Sequence, residues 1–125
     1  MNTQQPTLEQ IMQGMAQAMN NKLPESLKLA AEVYPEMVFE HAQNNMFAMP
    51  SEGGALDDET RVLIYLATAL ATGSFACIEA MMNKAKTAGI SKEKILETFR
   101  IARFAEATRV FGNAENLLKH LKEEW

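Results

Sequence analysis

The chain has 125 residues but only one cysteine, four prolines and six glycines, and aromatic side chains make up 7% of it. One cysteine excludes an internal disulfide and a cysteine-based zinc cage, and it suits a reducing compartment. The longest apolar run, Val62 to Ala71, is about half of the roughly 20 residues needed to cross a bilayer. Twelve basic residues face sixteen acidic ones, for a net charge of −4. The basic residues form no block, so the electrostatic footprint of a nucleic-acid binder is missing. The polar opening MNTQQPTLEQ lacks the basic-then-apolar profile of a signal peptide. No His/Asp/Glu spacing suggests a metal site and no glycine-rich loop suggests a phosphate site, so neither metal nor cofactor is expected. The expectation is a soluble, cytoplasmic protein that binds neither nucleic acid nor membrane.

What the chain does contain is helix-forming sequence. Nine methionines and 47% hydrophobic residues accompany Ala/Leu/Glu/Lys runs and few β-branched residues, which favour helix over strand. The pattern predicts one all-α domain over residues 1–125, built from about six to seven helices. Thr7 with Gln10 reads as a capping box opening the first helix, which carries the stripe Leu8, Ile11, Met12, Met15 and Met19. Pro24 starts a second segment with Leu27, Ala30, Ala31 and Tyr34. Pro35 starts a third, with Phe39, Ala42 and Met46 on its buried side.

Pro50, Ser51, Gly53 and Gly54 place a loop over 48–55, a boundary between an N-terminal helical layer and the rest. Asp57 or Asp58 then caps an apolar helix to Thr72, ended by Gly73. Ser74 caps the helix that holds Cys77, and Gly89 followed by Ile90 reads as its glycine stop. Ser91 opens a long helix to about Phe111, closed by Gly112. Asn113 caps the last one, with Leu117, Leu118, Leu121 and Trp125 facing inward.

Two of these helices are apolar on more than one side. Between Val62 and Ala71 the only polar stripe is Arg61, Tyr65, Thr68 and Thr72. After Ser91, one face holds Ile95, Phe99, Ala102 and Val110, and another holds Ile101, Phe104 and Phe111. A monomer of this size has difficulty covering both, which predicts a homo-oligomer.

Cys77 is the first candidate for chemistry. It falls in the first turn of its helix, where free N–H groups and the helix dipole can stabilise a thiolate. Ile78, Met81 and Ala85 surround its face, so inert packing is the competing reading. Glu106 is the second candidate. It winds to the centre of an apolar stripe, where a carboxylate needs a partner, and Arg103, Arg109 or Arg61 could supply one. That arrangement is either a structural ion pair or an acid/base centre. Arg61, Tyr65, Thr68 and Thr72 either line a pocket or form the helix's wettest edge. His41 and His120 read as surface residues that nothing places together.

From Leu56 to Gly112 the chain resembles the carboxymuconolactone decarboxylase and alkylhydroperoxidase D superfamily. The resemblance rests on Leu56, the acidic opening before Arg61, the apolar helix, Cys77, Ala85, Gly89, Ser91, Ile95, Glu97 and Gly112. It implies an all-α fold assembled as trimers or hexamers, acting on a small-molecule substrate. Redox members carry Cys-x-x-Cys, a histidine four residues on and a glutamate on the preceding helix. Here Ser74 takes the first cysteine position, Met81 that of the histidine and Val62 that of the glutamate.

The resemblance therefore implies at most one-cysteine, peroxiredoxin-type antioxidant activity at Cys77, with an external thiol as reductant. Glu106 would assist, and Arg61, Tyr65, Thr68, Ser74 and Met81 would contact substrate. The alternatives are a lactone- or organic-acid-handling enzyme that uses Glu106 and Arg61, and a non-catalytic oligomeric binding protein.

Overall fold

The computed structural model describes residues 5–125; residues 1–4, which begin the polar N-terminal stretch, lie outside them. Seven helices and no strand occur among the described residues: α1 (Leu8–Ala18), α2 (Glu25–Val33), α3 (Pro35–Ala48), α4 (Asp58–Thr72), α5 (Phe75–Ala88), α6 (Lys92–Asn113) and α7 (Glu115–Glu124). No helix there is long and apolar enough to cross a membrane.

Several boundaries follow from local chemistry that the sequence displays. Thr7 and Gln10 exchange hydrogen bonds in a complete capping box. Pro35 occupies the first turn of α3, where its missing N–H costs nothing. Asp57 accepts from the Thr60 amide and caps α4, and this bond holds its carboxyl below the usual range. Gly89 adopts the left-handed conformation at φ 73°. Ile90 N–H then reaches back to Ala85 O at 2.9 Å, and its side chain packs on the core, which completes a Schellman stop.

Packing divides the chain into two layers. Helix α4 lies between α5 and α6 and makes the most extensive contacts in the fold with both, while α3 gathers α1 and α2. The core is the cluster Val62, Leu66, Ala80, Met81 and Ala85, shared by α4 and α5. Alanines at 80 and 85 let the two backbones approach closely, so Leu66 is almost wholly covered. Helix α1 is tied to α5 by Met19, which packs on the cluster, and by Asn83 Nδ2 donating to Ala18 O. Helix α6 joins α4 through buried Thr98 and Ala102 and the ion pair of Lys94 with Glu59 at 2.5 Å.

The structure departs from the sequence pattern in four places. Helix α6 continues through Gly112 to Asn113, so neither that glycine nor Asn113 marks a boundary, and Ala114 joins α6 to α7. Nothing approaches Gly112, and a helical glycine costs only about 1 kcal/mol relative to alanine. Leu117, Leu118 and Leu121 are half-exposed and Trp125 fully so, because within the chain α7 leans mainly on α6. On α3 the buried side chain is Val38, and Met46 faces out. Ser74 occupies the cap position of α5, but its side chain makes no capping bond.

Truncating Leu66 to alanine should lower unfolding stability by about 3 kcal/mol through the cavity it leaves. The same change at Ile64, two residues away and half-exposed on the opposite side of α4, should cost under about 1 kcal/mol. Denaturant titration of the two variants measures the difference.

Candidate functional site

Cys77 is the third residue of α5, and the first helical bond of that helix is Ile78 N–H to Ser74 O. The N–H groups of Phe75, Ala76 and Cys77 therefore precede the helical ladder. Among the described residues no protein acceptor takes them. Because the Ser74 hydroxyl does not cap them, the positive end of α5 is left free beside the thiol.

The thiol is half-buried and lines an open cleft of about 730 Å³. On one side the cleft is walled by Ser74, Ala76 and Cys77 of α5. On the other it is walled by α2 and α3, which contribute Leu27, Val38, His41 and Phe47 among others. Much of the wall is apolar, with polar groups from Ser26, Glu40, His41, Gln43 and Asn44.

Tyr65 gives the thiol a defined partner. Its hydroxyl donates to Cys77 Sγ at 3.1 Å, across from α4 to α5. That hydrogen bond, and then burial, push the Tyr65 phenol up to about 12 from its ordinary 10.0. The phenol thus stays protonated across the neutral range and remains a donor to the sulfur.

Tyr65 also lines a second cavity of about 320 Å³ on α4, with Arg61, Thr68, Ile64, Leu56, Met49 and Ala48. Arg61 and Thr68 therefore belong to a cavity, whereas Thr72 does not border it and donates back to Thr68 O. Arg61 reaches into the 53–58 segment, with Nη1 donating to Gly53 O and Leu56 O and Nη2 to Asp58 at 2.8 Å. One arginine thereby holds the loop that enters α4.

The other sequence candidates lie apart. Met81 is buried in the α4/α5 core beside Val62, so it is a packing residue and does not border the thiol cleft. Glu106 is partly exposed and pairs with Arg109 of its own helix, at 2.6 Å from Nη2 and 3.0 Å from Nε. The structure does not bring it to Arg61, whose cavity it does not line. A lone pair of charges three residues apart on an open helix face is a surface ion pair of small energetic weight. Among the described residues no three His, Cys, Asp or Glu side chains gather where they could hold a metal.

His41 is the residue that sequence reading missed. It is exposed, as expected, but the placement of α2 and α3 sets it on the wall of the Cys77 cleft. Helical periodicity relates residues on one helix only, so no local signal could link position 41 to position 77. His120 lies elsewhere, 3.0 Å from Glu124.

The raised Tyr65 phenol has a direct consequence for alkaline stability. A folded-state value above the unfolded one means that the native chain binds more protons between about pH 10 and 12. This contribution is intact below pH 10 and is lost as the pH rises towards 12. The phenolate absorbance of wild type minus Tyr65→Phe should titrate with a midpoint near 12; a midpoint near 10 would contradict the hydrogen bond to sulfur.

No curated protein matches the chain significantly. A family model does, over residues 34–120, and it describes the carboxymuconolactone decarboxylase family. The match spans α3 to the middle of α7 and so takes in the α4/α5 core, Arg61, Tyr65 and Cys77. With its all-helical architecture and a match over most of its length, the chain belongs to the carboxymuconolactone decarboxylase family.

Proposed function

We propose that this protein is a one-cysteine thiol peroxidase that uses Cys77. The observation that carries the reading is the Tyr65 hydroxyl at 3.1 Å from a sulfur that lines an open cleft. Reactive cysteines sit in partly exposed surroundings with groups that stabilise a thiolate, whereas structural ones are buried among apolar side chains.

The reaction follows from the groups present. The Cys77 thiolate attacks one peroxide oxygen, a new S–O bond forms and the O–O bond breaks. The departing hydroxide or alkoxide takes up a proton and leaves as water or alcohol, and the sulfur is oxidised to sulfenic acid. Tyr65 and the free amides of the α5 first turn steady the negative charge on sulfur before attack. On this reading His41 and Ser74, which line the same cleft, exchange protons with the leaving oxygen.

With one cysteine in the chain, the sulfenic acid is resolved by an external thiol. That thiol forms a mixed disulfide and releases water; a second external thiol then frees Cys77. A reducing cytoplasm rich in small thiols supplies that chemistry.

The same reading takes the protein as a homo-oligomer. Phe104 and Phe111 on α6 are both more than two-thirds exposed, and Leu117, Leu118 and Leu121 of α7 are half-exposed. That much large apolar surface on two consecutive helices calls for a cover. A second copy of the chain is the partner that supplies matching apolar surface.

With a thiol reductant present, the protein should consume hydroperoxide and Cys77→Ser should abolish this. Tyr65→Phe, which keeps the ring and removes the donor, should slow it by roughly ten- to a hundredfold, the weight of one hydrogen bond to a charged group. A Cys77→Ser variant as active as wild type would sink the proposal. Light scattering on a sizing column should give a mass above the 13.9 kDa of one chain. Phe104→Glu with Phe111→Glu should reduce it to a monomer, and a monomeric wild type at micromolar concentration would contradict the assembly.

A further inference from the structure

Two exposed helix faces of the chain share one spacing and carry opposite charge. On α3, Glu36, Glu40, Gln43 and Phe47 recur at steps of four, three and four, so they share a face. That face is exposed and points away from Val38, the buried residue of α3. On α6, Arg100, Phe104, Ala107 and Phe111 recur at the same steps, with Arg103 beside them. Their face is exposed too, and lies opposite buried Thr98 and Ala102. Glu25, Glu32, Glu36 and Glu40 outnumber Lys28 on α2 and α3, whereas α6 carries five basic residues against three acidic. Arg100 is held only by an exposed contact with Glu97 at 3.5 Å, which leaves it open to a second carboxylate.

Within one chain neither face covers the other. Helix α3 packs chiefly on α1 and α2, and α6 on α4 and α7. The area left open is large. The chain exposes 9997 Å², where a compact monomer of 13.9 kDa exposes about 6,700 Å². The surplus of about 3,300 Å² is several times the roughly 800 Å² that one partner gives to a standard interface.

We propose that α6 of one copy docks along α3 of another, and that this contact completes the Cys77 cleft. Laid side by side in the same direction, the stripes set Arg100 and Arg103 against Glu36 and Glu40, and Phe111 against Phe47. The opposite charges align the two helices, and the phenylalanines supply buried apolar area. Because unlike faces meet, each copy uses both its α3 and its α6. Glu40, Gln43 and Phe47 also line the thiol cleft, so the docked α6 becomes part of its rim. It brings a permanent cation to a cleft whose described lining residues include no lysine or arginine, and it narrows the mouth to small molecules. This contact presupposes the homo-oligomer, but not peroxide reduction by Cys77.

Charge reversal on the full chain, followed by light scattering on a sizing column at micromolar concentration, tests the pairing. Glu36→Arg with Glu40→Arg should raise the dissociation constant at least about a hundredfold, because like charges then meet. The variant should run at the 13.9 kDa of one chain. Arg100→Glu with Arg103→Glu should do the same. All four changes together restore opposite charges and should restore the wild-type mass. Assembly that survives either reversal, or that the fourfold variant fails to recover, would overturn the contact. A homo-oligomer joined by like faces of α6 would survive reversal on α3, so the two readings fail separately. Alkylation of Cys77 tests the shared rim. Iodoacetamide, which is small, should label both the wild type and the Glu36→Arg, Glu40→Arg variant. Over the same time a bulky fluorescein maleimide should label only the dissociated variant, and equal labelling of the two would overturn the rim.

Discussion

The close packing of α4 on α5 is the contact on which the rest of the structure depends. Alanines at 80 and 85 remove bulk where the two helices meet, and Val62, Leu66 and Met81 complete the interface. At the edge of this core, on which Tyr65 packs, the same contact sets Tyr65 of α4 against Cys77 of α5. The hydrogen bond to sulfur is thus a product of the apolar packing beside it. A bulkier residue at Ala85, which has no exposed surface, would push the helices apart and part the phenol from the thiol.

This arrangement also explains how the chain carries the family fold without the residues that redox members place in it. Val62 and Met81 stand where a glutamate and a histidine are expected from the resemblance, and both are buried in the cluster. Apolar side chains at these two positions carry no charge into the core and so avoid the cost of burying one. Polar contact with the sulfur comes instead from Tyr65, three residues beyond Val62 on the same helix. Solvent reaches the sulfur through the cleft under α2 and α3. The positive end of α5 is left open because Ser74 does not cap it.

The architecture was legible where physics is local. The Thr7 box, Pro35, the Asp57 cap, and the glycine stops at 73 and 89 are each decided by a few adjacent residues. Gly112 misled because glycine in a helix is tolerated when the flanking residues favour helix. The leucines of α7 misled because amphipathic periodicity identifies an apolar face without saying whether the same chain covers it. At the site, three members of the stripe, Arg61, Tyr65 and Thr68, line a cavity that its fourth member, Thr72, does not border, and Cys77 was visible as the lone thiol. Glu106 read as central to a stripe, yet that stretch of α6 lies beyond its last buried residue, Ala102. The Tyr65–Cys77 bond and the approach of His41 join residues 12 and 36 positions apart on different helices. Only tertiary packing creates them.

The central claim is that Cys77 is an accessible, partnered thiol. The most direct test is the rate at which a small alkylating reagent modifies the native protein, set beside the same reagent on a free cysteine peptide and on Tyr65→Phe. The account predicts that Cys77 reacts at least as fast as the peptide and that loss of the Tyr65 hydroxyl slows it. Modification only at the rate of global unfolding would contradict it.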